Sequence, residues 1–277
     1  MTQLACSVRG CASALRLEAQ RAACERGHAF DRARSGYWNL LQPQDRRSLA
    51  AGDAREVALA RRRLHARGLQ APLAAALTDV LRESGVRPGA RALDLGCGEG
   101  SLSCELARAR SLDLVGLDLS AAAIELAARL GPDLTWVVAN GDRRLPFPDG
   151  ELELVLSVTG RRARDELARV LAPEAWLALV VPAPDDLAEL RAVLTGEARE
   201  LTPARAIEDE LAGAFRVQQQ LDVRSPVSLD AEGIADLCLI SYRGARASQR
   251  ERLAALTRLD VSARWRVYLL RRASAGP

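Results

Sequence analysis

The stretch Leu93-Asp94-Leu95-Gly96-Cys97-Gly98-Glu99-Gly100 follows an apolar run and precedes a helical pattern. Glycine at alternate positions lets a backbone turn tightly and come close to a ligand. The spacing is GxGxG. A dinucleotide fingerprint would need glycine at position 101, where the chain has Ser101, and Asp94 just ahead of the glycines would repel a pyrophosphate. The next apolar run ends in Gly116-Leu117-Asp118-Leu119, where a carboxylate can accept hydrogen bonds from both hydroxyls of a ribose. A third run ends in Asn140-Gly141-Asp142, and a carboxylate there can accept from an adenine amino group. Ligand groups at the carboxyl ends of adjacent strands are where an open α/β sheet binds its cofactor.

A second cluster precedes these motifs: Cys6-x4-Cys11-x12-Cys24-x3-His28. Two ligand pairs about a dozen residues apart is zinc-finger spacing. Three thiolates and an imidazole close a tetrahedral site, and a closed site is structural rather than catalytic. It would fold a segment of about 30 residues that is too short for its own core. The alternative is scattered cysteines beside a chance histidine. Cys97, Cys104 and Cys238 lie outside the cluster with no histidine near them in sequence, so nucleophilic catalysis is not supported.

Elements must position these groups. Strand-like runs at Ala90–Leu95, Leu112–Asp118, Leu134–Ala139, Leu152–Val158 and Trp176–Val181 alternate with helical patterns near 101–110, 120–130, 164–171 and 185–195. That alternation predicts an α/β fold, a parallel sheet with helices on both faces. Ahead of it, residues 53–85 read as two helices, the first capped by Asp53 and the second starting after Pro72. Residues 36–50 read as an irregular connector. The tail gives a strand over Phe215–Leu229, helices over Asp230–Ser241 and 249–256, and a last strand over Ala263–Leu270. The expected organisation is a metal-binding module over 1–35, a connector and helical segment over 36–85, and the α/β domain over 86–277.

Of 277 residues, 39 are arginine and none is lysine, which excludes a Schiff base or a P-loop lysine. Residues 1–85 carry 14 arginines against 8 acids, whereas the rest carries 25 against 28. A basic segment on an acidic body fits a polyanion, and a solvated surface explains it as well. No run approaches the roughly 20 apolar residues of a membrane span, and the N-terminus lacks a signal-peptide core, so the expected location is cytoplasmic.

The motifs LDLGCGEG, GLDLS and NGDRRLPF resemble the successive motifs of class I methyltransferases that bind S-adenosylmethionine. The resemblance implies a Rossmann-like, mostly parallel sheet. It places Gly96 and Gly98 at the methionine moiety, Asp94 near its ammonium, Asp118 with Leu119 at the ribose, and Asp142 or Leu145 at the adenine. A similar turn without this cofactor is the alternative. More specifically, the run from His28 through Phe30-Asp31 and Gly36-Tyr37-Trp38-Asn39-Leu40-Leu41 resembles bacterial 23S rRNA guanine-N1 methyltransferases. Gly52-Asp53, Ala60-Arg61-Arg62, Leu145-Pro146-Phe147, Glu166-Leu167-x-Arg169-Val170-Leu171 and Pro182-x-Pro184…Leu187-x-Glu189-Leu190 match the same family. The resemblance covers residues 1–195 well and the tail loosely. It implies methyl transfer to guanine N1, a hairpin of 23S rRNA as partner, zinc in the N-terminal module, and a homodimer.

The chain departs from the family at Cys6-x4-Cys11, where C-x2-C is usual. It also departs at Gly68-Leu69-Gln70-Ala71-Pro72-Leu73 (usually G-H-Y-x-P-L), at Ser101-Leu102, at Ser157 to Arg162 and at Pro173-Glu174-Ala175 (usually P-G-G). These changes leave the target guanine open. The proton acceptor is not identifiable from sequence. Arg161 and Arg162 either steady charge on guanine O6 or a phosphate, or form a solvated pair. Tyr37 and Trp38 either stack on a base or anchor the connector. Arg61-Arg62-Arg63 either tracks phosphates or is one solvated helical turn. A small-molecule methyltransferase with a structural zinc module, and a non-catalytic RNA-binding relative, are the competing function classes.

Overall fold

The computed structural model describes the chain except residues 46–51, 161, 197–206, 242–250, 254 and 274–277. Three short strands, β1 (Arg16–Leu17), β2 (Arg21–Ala23) and β3 (Ala29–Asp31), form an antiparallel sheet around the cysteine cluster. The segment expected to be irregular contributes β4 (Trp38–Asn39), which runs parallel to a strand of the main sheet. Helices α1 (Arg55–Ala66) and α2 (Ala71–Glu83) follow. Asp53 does not cap α1. The capping position is Ala54, without a side-chain bond, and Asp53 pairs instead with Arg61 at 2.9 Å. Pro72 sits in the first turn of α2, where its missing N–H costs nothing.

The alternating region folds as β5 (Arg91–Leu95), α3 (Ser101–Arg110), β6 (Asp113–Asp118), α4 (Ala121–Leu130), β7 (Thr135–Val138), β8 (Leu152–Val158), α5 (Arg164–Val170), β9 (Leu171–Pro182) and α6 (Ala188–Thr195). A short α7 (Ile207–Leu211) leads to β10 (Phe215–Asp230), α8 (Ala231–Ser241) and β11 (Arg258–Arg272). Of the helix expected over 249–256, Glu251 to Leu253 is helical, and 249, 250 and 254 lie outside the described residues. The main sheet has eight strands in the order β10-β11-β9-β8-β5-β6-β7-β4. All neighbouring pairs are parallel except those made by β11, which is antiparallel to both β9 and β10.

Alternation along the strands splits the core between two faces. Ala92, Leu154, Val180 and Val267 pack with Leu73, Leu77, Leu106 and Leu190 from the helices on one side. Leu93, Leu117, Phe147 and Leu179 pack on the other side, where Leu4, Cys24 and Trp38 join them. The N-terminal module thus completes the second face, tied by Ala5 N–H donating to Pro146 O at 2.8 Å and Gln3 N–H to Glu151 Oε1 at 2.9 Å.

Trp136, fully buried on β7, fixes how the ligand-facing turn sits. Its indole N–H donates to Gly131 O at 2.7 Å. A side-chain carbon on Gly116 would lie 2.3 Å from its ring, and one on Gly100 would lie 2.7 Å from it. The third glycine of the loop is therefore required by packing as well as by its φ of 83°. Gly116→Ala should destabilise the chain by about 1–3 kcal/mol through overpacking, read as a lower urea midpoint with an unchanged m-value.

Candidate functional site

The glycine loop joins β5 to α3 at the carboxyl end of the sheet. In the strand register, Asp94 lies beside Gly116, and Asp118 lies at the end of β6 beside Val138. Gly96 N–H donates to Leu117 O at 2.8 Å, and Gly98 N–H donates to the Asp118 carboxylate at 3.0 Å, so the loop folds over the end of β6. A carbon on Gly98 would meet nothing within 4 Å, so the backbone there faces open space, as close approach to a ligand requires. Asp94 is buried and accepts from Ser103 Oγ at 2.5 Å. Burial pushes its carboxyl up to about 6, with the neighbouring Asp118 adding to the shift and Ser103 opposing it. Burial also raises Asp118, against the N–H groups of Ser120 and Gly98. A cation arriving near Asp94 would relieve part of this desolvation.

Beside the loop opens a cavity of about 410 Å³ between α1, α6, α8 and β11. Its walls include Asp94 and Gly98, His65 and Gln70, and Asp186 and Trp265. Thr159, at the end of β8, lines it with φ of 53°, a left-handed conformation that β-branched residues rarely adopt. Such strain clusters where a site demands it.

Arg61, Arg62 and Arg63 are partly exposed, and each is paired within the chain. Arg61 pairs with Asp53 at 2.9 Å. Arg62 reaches Glu99 of the glycine loop at 3.2 Å and Leu126 O at 3.0 Å. Arg63 holds Asp236 of α8 through two bonds of 2.8 and 2.6 Å. One helical turn therefore clamps three parts of the site. Gly52 reaches the same place: a carbon there would lie 2.6 Å from Ser120 N, and Ser120 Oγ donates to Asp53 O at 2.6 Å. From sequence, Gly52 stood out only as part of a family match and Asp53 as a helix cap, and neither pointed to Ser120 or Arg61.

Leu119 is half-buried just past β6. Asp142 is exposed in the loop after β7, its N–H donating to Asn140 Oδ1 at 2.9 Å. Leu145 is buried in the core, and its N–H donates to Glu166 at 2.7 Å, so its side chain supports that loop from beneath. Arg162 pairs with Glu210 of α7 at 3.0 Å rather than standing as a solvated pair, and Arg161 lies outside the described residues. Trp38 is buried on β4 with Arg32 over its ring at 5.5 Å, and Tyr37 packs against the Trp136 cluster, so both anchor the connector. Glu174 takes φ of 59°, a left-handed conformation that glycine adopts freely.

Cys6, Cys11, Cys24 and His28 bring their ligand atoms within 4.8 Å of one another. Sγ of Cys11 and Cys24 are 3.8 Å apart, and His28 Nδ1 is 3.5 Å from Sγ of both Cys6 and Cys24. A tetrahedral zinc with ordinary bond lengths sets sulfur–sulfur at about 3.8 Å and sulfur–nitrogen at about 3.5 Å. The longer first knuckle is accommodated by left-handed Gly10 and Ala12 (φ 76° and 57°). Burial pushes the Cys6 thiol up to about 12, whereas the Ser13 backbone holds Cys11 down to about 6. A central cation lets all three sulfurs share the centre as thiolates. The donor set and spacing fit zinc.

A GxGxG turn over a carboxylate-ended parallel sheet, with one antiparallel strand near its edge, defines a class I methyltransferase fold. A family model described as "Methyltransferase domain" matches residues 92–174, and a zinc-ribbon model described as "RlmA, N-terminal" matches residues 5–49. The 23S rRNA (guanine(748)-N(1))-methyltransferase of Streptomyces fradiae is 34% identical over 227 residues, covering 81% of this chain and 80% of that protein. YxjB of Bacillus subtilis, named provisionally as a 23S rRNA (guanine-N(1)-)-methyltransferase, is 34% identical over 76% of this chain and 75% of its own length. Likeness to demethylmenaquinone methyltransferase of Beutenbergia cavernae is 40% but is confined to 28% of this chain and 32% of that protein. Among solved structures, the YcgJ protein of Bacillus subtilis shares the fold with a TM-score of 0.50 at 16% identity, over 71% of this chain and 97% of that one. The chain belongs to the 23S rRNA (guanine-N1)-methyltransferase family and is an S-adenosylmethionine-dependent methyltransferase with a zinc module.

Purified protein should carry one zinc per chain by elemental mass spectrometry. Cys24→Ser should lose most of it. Amide exchange should then rise sharply across residues 1–35 and much less in β5 and β6, because the metal supplies the folding energy of the module.

Proposed function

We propose that this protein transfers a methyl group to N1 of a guanine in a hairpin of 23S rRNA. The observation that carries the reading is the joint presence, in one chain, of the zinc module and the methyltransferase domain along the length shared with the Streptomyces fradiae enzyme. Residues 1–35 then act as the zinc module, 36–85 as connector and helical segment, and 86–277 as the methyl-transfer domain. The module exposes Arg9, Arg16, Arg21, Arg26, Arg32 and Arg34 against three acids, a surface suited to phosphate oxygens. Family membership supports a cytoplasmic homodimer, and no helix among the described residues is long and apolar enough to cross a membrane.

S-adenosylmethionine, when bound, supplies an electrophilic methyl group. Gly96 and Gly98 provide bare backbone for its close approach, Asp94 a carboxylate for the ammonium, and Asp118 acceptors for the ribose beside Leu119. Asp142 takes the adenine end, over a loop supported by Leu145. Positioning supplies much of the rate, because attack needs the guanine nitrogen aligned with the methyl carbon. A single-stranded or loop guanine is the accessible form of that base. Leu69 and Gln70, the positions where the chain departs from the family's G-H-Y-x-P-L pattern, line the cavity, which supports a part for them in the choice of guanine.

Incubation with labelled cofactor and unmodified 23S rRNA should put label into RNA and give a reverse-transcription stop at one guanine, since N1 methylation blocks pairing. Label that never enters RNA, with cofactor binding intact, overturns the rRNA reading and leaves the small-molecule one. RNA affinity should fall steeply with salt. Cofactor affinity should depend on Asp94. Its carboxyl is raised to about 6, so the charged form that attracts an ammonium is present above that pH and lost below it. Calorimetric affinity should therefore be level near pH 7.5 and drop by up to tenfold per unit below pH 6, with Asp94→Asn weaker and flat.

A further inference from the structure

We propose that Asp186 receives the Watson–Crick edge of the target guanine and accepts the proton from N1, an assignment that rests on the guanine-N1 reading above. Methylation at N1 requires that nitrogen to lose its proton. N1 keeps the electron pair of its N–H bond and uses it for the new N–CH3 bond, while the methyl–sulfur bond breaks onto sulfur. The proton passes to the carboxylate and then to water.

The chain has no lysine, and its histidines are His28, in the metal cluster, and His65. Among the described residues, the proton-accepting side chains around the cavity are Asp94, Cys97, Glu99, His65 and Asp186. Asp94 lies beneath the glycine loop and accepts from Ser103. Cys97 is held well above the usual thiol range by burial and by Asp94, Asp118 and Glu99. Glu99 is buried between Arg62 at 3.2 Å and Ser101 Oγ at 2.7 Å. His65 uses Nδ1 on Gln70 at 3.2 Å and Nε2 on Glu105 at 3.3 Å.

Asp186 differs. It sits past the carboxyl end of β9 and lines the same cavity as the glycine loop. Its Oδ1 accepts the Arg264 N–H at 2.7 Å, and Oδ2 has no donor among the described residues. The turn carrying it is held rigidly. Buried Arg191 donates to Asp186 O and, at 3.2 Å, to Pro184 O, and Leu187 N–H reaches Ser262 O at 3.1 Å. Guanine presents N1–H and N2–H side by side, and a carboxylate accepts such a pair bidentately. Trp265, next to Arg264, lines the same cavity and offers an apolar wall for the base. Burial pushes the Asp186 carboxyl up to about 6, close to the value that suits a general base at neutral pH. The charged and titratable groups around it are Asp185, Glu189 and Arg191 on its own side, Arg264 on β11, Arg61 and His65 on α1, and Asp94 and Glu99 on the loop.

The test is single-turnover methylation of unmodified 23S rRNA between pH 5 and 9, at saturating cofactor and RNA, with wild type, Asp186→Asn and Asp186→Glu. Saturation separates this measurement from the effect of Asp94 on cofactor affinity. Wild-type rate should rise about tenfold per unit below pH 6 and level above it. Asp186→Asn keeps the acceptor for the Arg264 N–H. It should bind S-adenosylhomocysteine as wild type does and yet lose about 10²- to 10⁴-fold in rate, together with the inflection near pH 6. Asp186→Glu should recover part of the rate. Asparagine within threefold of wild type with the same profile overturns the assignment. So does a wild-type profile without an inflection between pH 5 and 7, which needs no variant to fold. A wild type that gives no guanine stop overturns the functional reading itself, and the assignment falls with it.

Discussion

Two carboxylates, Asp94 and Asp118, end adjacent parallel strands beneath a loop of glycines, and both are buried enough to be raised from their ordinary range. Burying charge is costly unless it is compensated. Here the compensation is incomplete and local: one hydroxyl from Ser103, and N–H groups from Gly98 and Ser120. Those few bonds dictate much of the surrounding structure. Gly98 must present its N–H to Asp118, so the loop must fold back over β6. Folding back brings Gly100 against Trp136, where any side chain would collide. A ligand bearing a cation and adjacent hydroxyls would complete what the protein leaves unfinished.

The same economy explains the arginine turn on α1. Each guanidinium of Arg61, Arg62 and Arg63 reaches a different acidic partner: the Gly52-Asp53 segment, the glycine loop and α8. Arginine presents a planar fork of donors, and the two bonds from Arg63 to Asp236 use it fully. In a chain without lysine these pairs carry the charge pairing that fixes α1 over the sheet. Asp236 is buried, so losing Arg63 would strand a charge rather than remove a surface ion pair.

Local pattern reveals the alternating strands and helices because each strand is a short apolar run and each helix follows a turn signal. The glycine turn, the acidic strand ends and the cysteine spacing are legible for the same reason: their chemistry is confined to a few consecutive residues. What escapes the sequence is pairing over distance. Arg63 and Asp236 are 173 residues apart, and no local feature links them. Trp38–Asn39 is too short to announce a strand, and it becomes one only because β7 offers a free edge. Asp53 resembles a helix cap by type and position, yet Arg61, two turns on, claims its carboxylate. Asp186 stands in an acidic pair within a proline-rich segment, and only the fold brings it to the cavity that Gly98 also lines.

The zinc module bears on the methyl-transfer site although its metal does no chemistry. Cys24 and Phe30 pack into the same apolar cluster as Leu93 and Leu117, the residues flanking Asp94 and Asp118 on their strands. Trp38 and Asn39, just past the module, pair with Val137 and Val138, immediately before the loop that carries Asn140 and Asp142. Leu40 N–H then donates to Val138 O at 2.9 Å. The module therefore helps to close one face of the sheet, and the segment just after it braces β7. Leu167 and Val170 of α5 and Ile207 and Leu211 of α7 cover part of that face, and the module covers another part. A segment too small to fold without a metal does so while exposing an arginine-rich outer surface. A structural zinc site and an exposed arginine-rich surface thus follow from one arrangement: the inward residues cover the core, and the outward ones face solvent.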